Sequence, residues 1–109
     1  MLELWQTEWC PASRRIRERL TELGVDYVTR QVPVEKEQRT ALLRATGADT
    51  IPALVLENGT TLTGEEAIRH HLDDSLPEPP EADAHRLKAA KARRHYLEEE
   101  CECSQPPTR

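Results

Sequence analysis

The chain opens on the apolar-aromatic run Met1-Leu2-Glu3-Leu4-Trp5, which reads as a short strand over Leu2–Trp5, followed by the polar step Gln6-Thr7-Glu8-Trp9. From Pro11 the pattern changes period. Ile16, Leu20 and Leu23 fall at helical spacing with Arg and Glu opposite them, Pro11 suits the first helical position, and Gly24 marks the stop. Residues 25–32 are β-rich and predict a second strand ended by Pro33, and a second helix is expected over about Glu35–Ala45, carrying Ala41, Leu42 and Leu43 and ending at Gly47. Ala53-Leu54-Val55-Leu56 is the most apolar run and the best candidate for a central strand. The Asn58-Gly59 pair favours a tight hairpin with Thr61-Leu62-Thr63 as its return strand. Gly64-Glu65-Glu66 then opens a third helix, with Ala67, Ile68 and Leu72 expected inward.

The predicted order is therefore β-α-β, then α, then a β-hairpin, then α. The first unit implies parallel strands joined by a crossover and the hairpin adds an antiparallel pair. Leu76-Pro77-Glu78-Pro79-Pro80 breaks any helix, so the compact domain is expected over residues 1–76 with a Pro-rich linker at 77–80. An Ala-rich helix with a thin apolar stripe is expected over 81–100, and a disordered tail over 101–109. No internal repeat is visible.

Composition narrows the function classes. With 109 residues, 37% hydrophobic content and no Phe, the chain is one domain with a modest aliphatic core plus a tail. A formal charge of −5 argues against nucleic acid as a partner, and no apolar stretch reaches the roughly 18 residues a membrane helix needs. The first strand starts at Leu2 without a basic or apolar leader, which predicts a cytoplasmic chain. Three cysteines form no disulfide framework, and in a reducing compartment they read as catalytic or incidental. Cys101-x-Cys103 with His95 supplies too few ligands for zinc, so no metal is expected. The reading for Cys101 and Cys103 is exposed thiols without a role, with resolution of an oxidised Cys10 as the alternative. His70 and His71 are expected at the surface, and the basic stretch from Arg86 to His95 reads as a solvated face.

The chemistry concentrates at Cys10. It stands at the corner between the first strand and the first helix, where the unpaired amides of the first turn point at its sulfur. That setting favours the thiolate, which is the nucleophilic form. The competing reading is a small buried hydrophobe. Ser13 is either a hydroxyl partner of that sulfur one turn on or an ordinary first-turn residue. Trp9, beside the sulfur in a polar stretch, is a candidate pocket wall.

Taken together, Cys10-Pro11-Ala12-Ser13 at this corner, Thr50-Ile51-Pro52 before the third strand and Leu62-Thr63-Gly64-Glu65-Glu66-Ala67-Ile68 after the hairpin resemble the thioredoxin fold. Within it, residues 1–76 are similar to glutaredoxins and to the N-terminal domain of glutathione transferases. The resemblance implies a mixed four-stranded sheet flanked by helices, a cis-Pro52 against Cys10, and Ile51 offering its backbone to an extended thiol. It also implies that Gly64 and Glu65 offer amides to a carboxylate of glutathione or a related low-molecular-weight thiol. Trp9 and Pro11 complete the expected thiol-binding set, with Cys10 and Ser13 as the catalytic pair. The chain departs from the families at Thr7, where glutaredoxins usually carry Lys, at Ser13, in place of a second cysteine, and at Gly64-Glu65, in place of the transferases' Glu-Ser. Arg14, Arg15 and Arg39 are alternative sources of cationic contact.

The expectation that follows is a monothiol glutaredoxin-like oxidoreductase, with small thiols and protein mixed disulfides as partners. The alternatives are a stand-alone domain like the N-terminal part of a glutathione transferase and a non-catalytic adaptor that docks through its tail helix.

Overall fold

The computed structural model describes residues 1–98. β1 (Leu2–Gln6), α1 (Pro11–Glu22) and β2 (Tyr27–Gln31) form the first unit. A 3-10 turn (Lys36–Gln38), α2 (Thr40–Thr46), β3 (Ala53–Val55), β4 (Thr61–Thr63) and α3 (Glu65–Ser75) follow. The strands make one sheet in the order β2-β1-β3-β4. β1 runs parallel to β2, with Leu4 opposite Thr29, and antiparallel to β3, with Trp5 opposite Ala53; β3 and β4 are antiparallel, with Ala53 opposite Thr63. This is the expected thioredoxin-like arrangement, with β1 and β3 central.

Side chains alternate across the sheet as a period of two requires. Leu4 and Leu54 enter the main core with Ile16, Leu20 and Leu23 from the first helical segment and Ile68 and Leu72 of α3. Ala53 enters a second cluster with Val32 and Leu42, against which Trp5 and Ile51 pack. β2 is an edge strand, exposed at four of its five residues. Gly24 (φ 71°) follows α1, and Gly47 (φ 80°) caps α2 with its amide on Leu43 O at 2.8 Å. Left-handed backbone of that kind suits glycine at helix ends.

Several expectations need correction. The second helix is not continuous over Glu35–Ala45, because Arg39 (φ −85°, ψ 46°) separates the 3-10 turn from α2. Its guanidinium, only 6% exposed as a residue, donates to Pro33 O, Val34 O and Asp49 O at 2.9–3.0 Å. Those three loop carbonyls take the place of a helical path. Of Ala41, Leu42 and Leu43 only Leu42 is buried, and Ala67 faces solvent rather than the core. Gln6 lies inside β1 and is fully buried, its amide satisfied by Glu8, Gln31 and Arg17.

One compact unit runs from Met1 to Glu78 and a second begins at Pro79. Leu76 packs on the main core, and Glu78 accepts from Arg19 at 3.1 Å, which carries the first unit two residues past the expected end. In the second unit, α4 covers Ala82–Arg93 and a π-helical turn covers Arg94–Glu98. The expected tail at 101–109, with Cys101 and Cys103, and the last residues of the expected helix lie outside the described residues. Among the described residues, no helix is long and apolar enough to cross a membrane and no cluster of candidate metal ligands occurs.

Candidate thiol site at the start of helix α1

The site is assembled by three element starts at one end of the sheet. β1 delivers the chain through Thr7–Trp9 to Cys10, which is the N-cap of α1, with Pro11 in the first turn. The Trp5–Ala53 register brings the start of β3, and hence Pro52, level with the end of β1. The Ile51–Pro52 bond is cis and Pro52 is fully buried, while Ile51 packs on the second core cluster. Pro52 O accepts from Gly64 N at 2.8 Å, which ties β3 to the start of α3. Gly64 (φ 91°, ψ 148°) occupies a conformation that side chains other than glycine's rarely adopt.

Cys10 is partly exposed. Its Sγ accepts from the amide of Ser13 at 3.4 Å, so the sulfur itself caps the helix. Ser13 is fully buried, and its Oγ accepts from the amide of Thr7 at 3.4 Å, pinning the turn that leads to the cysteine. Burial pushes the Cys10 thiol up, but the Ser13 hydroxyl, the amides of Ser13 and Ala12 and the charge of Arg15 outweigh it, and the net shift is downward. Each of these groups stabilises negative charge on sulfur and offers nothing comparable to the neutral thiol. The Thr7 side chain, where glutaredoxins place Lys, is buried with no hydrogen-bond partner for Oγ1.

The other expected residues divide. Trp9 is 59% exposed beside the sulfur, a flank facing solvent. Of the three arginines, Arg14 pairs with Glu18 at 3.1 Å and Arg39 is spent on loop carbonyls. Arg15 reaches the site. Its Nε and Nη2 meet Glu65 Oε2 and Oε1 at 2.5 and 2.9 Å, so Glu65 is tied to α1 across 50 positions. Arg17 also shapes the corner, holding Gln6 and Thr7 O from within α1. Helical periodicity places Arg17 on a polar face, and nothing local signals that it turns back onto the preceding strand.

A profile of the glutathione S-transferase N-terminal domain matches residues 4–80. The chain belongs to that family. As a member of the glutathione S-transferase N-terminal domain family, it is similar to several solved structures. A glutathione S-transferase from Rhodospirillum rubrum F11 is 28% identical, with a TM-score of 0.63 over 85% of this chain and 44% of that one. A family member from Pseudomonas fluorescens Pf-5, solved with bound glutathione, is 25% identical, with a TM-score of 0.64 over 84% of this chain and 49% of that one. Rice GST1, in complex with glutathione, shares the fold at 24% identity and a TM-score of 0.59, over 89% of this chain and 46% of that one. The chain thus spans about half the length of these relatives. No curated protein matches.

At the start of α3, where the resemblance drawn from the sequence puts the transferases' Glu-Ser, this chain carries Gly64-Glu65, and the Glu65 carboxylate is forked onto Arg15.

Proposed function

We propose that this domain carries out monothiol thiol–disulfide exchange through Cys10, with a low-molecular-weight thiol or its mixed disulfide with a protein as reactant. The observation that supports it is a partly exposed sulfur that caps α1, with its thiolate favoured by the Ser13 hydroxyl and two backbone amides, and with serine rather than cysteine at position 13. The Cys10 thiolate attacks one sulfur of a disulfide R–S–S–R′. A Cys10–S–S–R bond forms, the S–S′ bond breaks and R′S⁻ leaves, taking a proton from water. A second thiolate RS⁻ attacks the R sulfur, restoring the Cys10 thiolate and releasing R–S–S–R. Without a cysteine at position 13, no internal disulfide closes across the first turn, so the second step belongs to an external thiol. The reading places the domain in the reducing cytoplasm, where such thiols are supplied.

Cys10→Ser removes the nucleophile and is expected to abolish exchange, measured as release of thiol from a small mixed disulfide, in a chain that keeps its wild-type circular dichroism. Full exchange by a folded Cys10→Ser chain overturns the proposal. Family membership over residues 4–80 supports a second reading: a domain like the N-terminal part of a glutathione transferase that binds a thiol cofactor. Conjugation of a small electrophile to a thiol, tested beside exchange, separates the two.

A further inference from the structure

The guanidinium whose charge reaches the Cys10 sulfur is that of Arg15, whose Nε and Nη2 donate to the two carboxylate oxygens of Glu65. The pair bridges α1 and the first turn of α3. A helix start is a natural place for an anion, because its unpaired amides and dipole favour negative charge. Here the protein's own carboxylate stands in that turn, with Glu66 beside it, and no side chain caps Gly64. The hydrogen bond and charge of Arg15, outweighing partial burial, hold Glu65 below its ordinary carboxylate range, so it is ionised at neutral pH. Its side chain is 30% exposed, within reach of an incoming ligand.

Arg15 links the two places, acting by charge on the Cys10 sulfur and forked onto Glu65, so a thiol seated on Cys10 that extends toward α3 meets a paired cation and a fixed negative charge. We propose that Glu65 is a specificity-determining residue, selecting thiols and disulfides whose end against α3 carries no carboxylate. This inference rests on the exchange reading above and names the substrate class for that site. Like-charge opposition at a recognition surface acts mainly against the wrong partner. Removing the charge at position 65 also frees Arg15 to receive a ligand carboxylate, so the two effects add in one direction.

The test compares transfer to Cys10 from oxidised glutathione and from its fully esterified form, followed by intact mass in a Cys101→Ser, Cys103→Ser chain. The wild-type site is expected to take the ester about tenfold faster, the discrimination that ~1.4 kcal/mol of repulsion produces. Glu65→Gln is expected to bring the ratio close to one. Glu35→Gln, which removes one negative charge elsewhere, is expected to keep the wild-type ratio and so controls for net charge. Equal rates in the wild type, a ratio that survives Glu65→Gln, or an equal shift in Glu35→Gln overturns the specificity role while leaving exchange standing. If neither reagent modifies Cys10 in the wild type, the exchange reading itself falls, and the selectivity falls with it.

Discussion

Ser13→Ala probes the sulfur's environment with a signature that has two opposite limbs. The substitution removes the hydroxyl that holds the Cys10 thiol low and leaves the Ser13 amide in place. A hydrogen bond to a charged group contributes roughly 1.5–3 kcal/mol, and a partly solvated sulfur at long range warrants discounting that to about 1 kcal/mol. Loss of that contribution raises the Cys10 pKa, and about 1 kcal/mol lowers the thiolate fraction below both midpoints about fivefold. A more basic thiolate is also the better nucleophile. With a Brønsted slope of about 0.4–0.5, the same shift raises its intrinsic exchange rate roughly twofold. Exchange with dithiodipyridine, followed across pH in a Cys101→Ser, Cys103→Ser background, is therefore expected to be about 2–3-fold slower than the parent in acid and about twofold faster in alkali, with the two curves crossing between. An unmoved midpoint, or a uniform slowing without the crossing, refutes the assigned role of the hydroxyl. The buried Thr7 amide also loses its acceptor, so some loss of stability, on the order of 1–3 kcal/mol, accompanies the kinetic change and is read separately by denaturant unfolding.

Two further outcomes concern what holds the first unit together. Arg19, whose side chain is 10% exposed, binds Glu22, Asp73 and Glu78 at 2.9–3.1 Å, so Arg19→Met leaves three carboxylates facing one another and is expected to cost roughly 2–4 kcal/mol in urea unfolding. Burial pushes Asp73 up, but the hydrogen bond and charge of Arg19 hold it net below its ordinary value. That contribution is complete above the unfolded carboxylate range near 4 and is lost as pH falls through the lower folded value, so the wild type, more than Arg19→Met, is expected to lose stability in that acid window. Arg39→Lys is expected to destabilise by about 2–3 kcal/mol despite keeping the charge. A lysine lacks the planar fork that reaches Pro33 O, Val34 O and Asp49 O together, and unfolding midpoints equal to wild type would contradict the clamp.

Local pattern carried most of the fold. Ile16, Leu20 and Leu23 at helical spacing, the apolar Ala53–Val55 run and the Asn58-Gly59 turn each act through neighbours in sequence. The helix and the strands formed as periodicity predicts, while the hairpin closes through residues 56–60, with Gly59 and not Asn58 at positive φ, rather than through a two-residue Asn-Gly turn. Asn58 Oδ1 accepts from Thr60 N at 2.9 Å and Gly59 (φ 88°) completes that turn. The misreadings occur where a distant partner overrides local preference. Arg39 breaks the second helix because three loop carbonyls offer more than a helical path would. Gln6 is buried because Arg17 and Gln31 satisfy an amide that local polarity assigns to the surface. Ala67 has so little side chain that its spacing, alone, cannot tell a core face from a solvent face.

The candidate site divides along the same line. Cys10 and Ser13 stand one turn apart, so their contact was legible. Arg15 and Glu65 lie 50 positions apart on different helices, and no periodicity marks which of several arginines finds which of many acids.

The outer margin of β2 bears on how this domain keeps to itself. A strand at the border of a sheet presents unpaired amides and carbonyls to any other extended chain, and fibrillar stacking begins at such borders. Here Thr29, Arg30 and Gln31 line that border, and Arg30 is held by Glu3 of the neighbouring strand at 3.2 Å. A newcomer would have to strip water from a fixed guanidinium and two polar neighbours before its first rung formed. The polarity that makes β2 a poor contributor to the interior thus serves as a guard against lateral self-assembly.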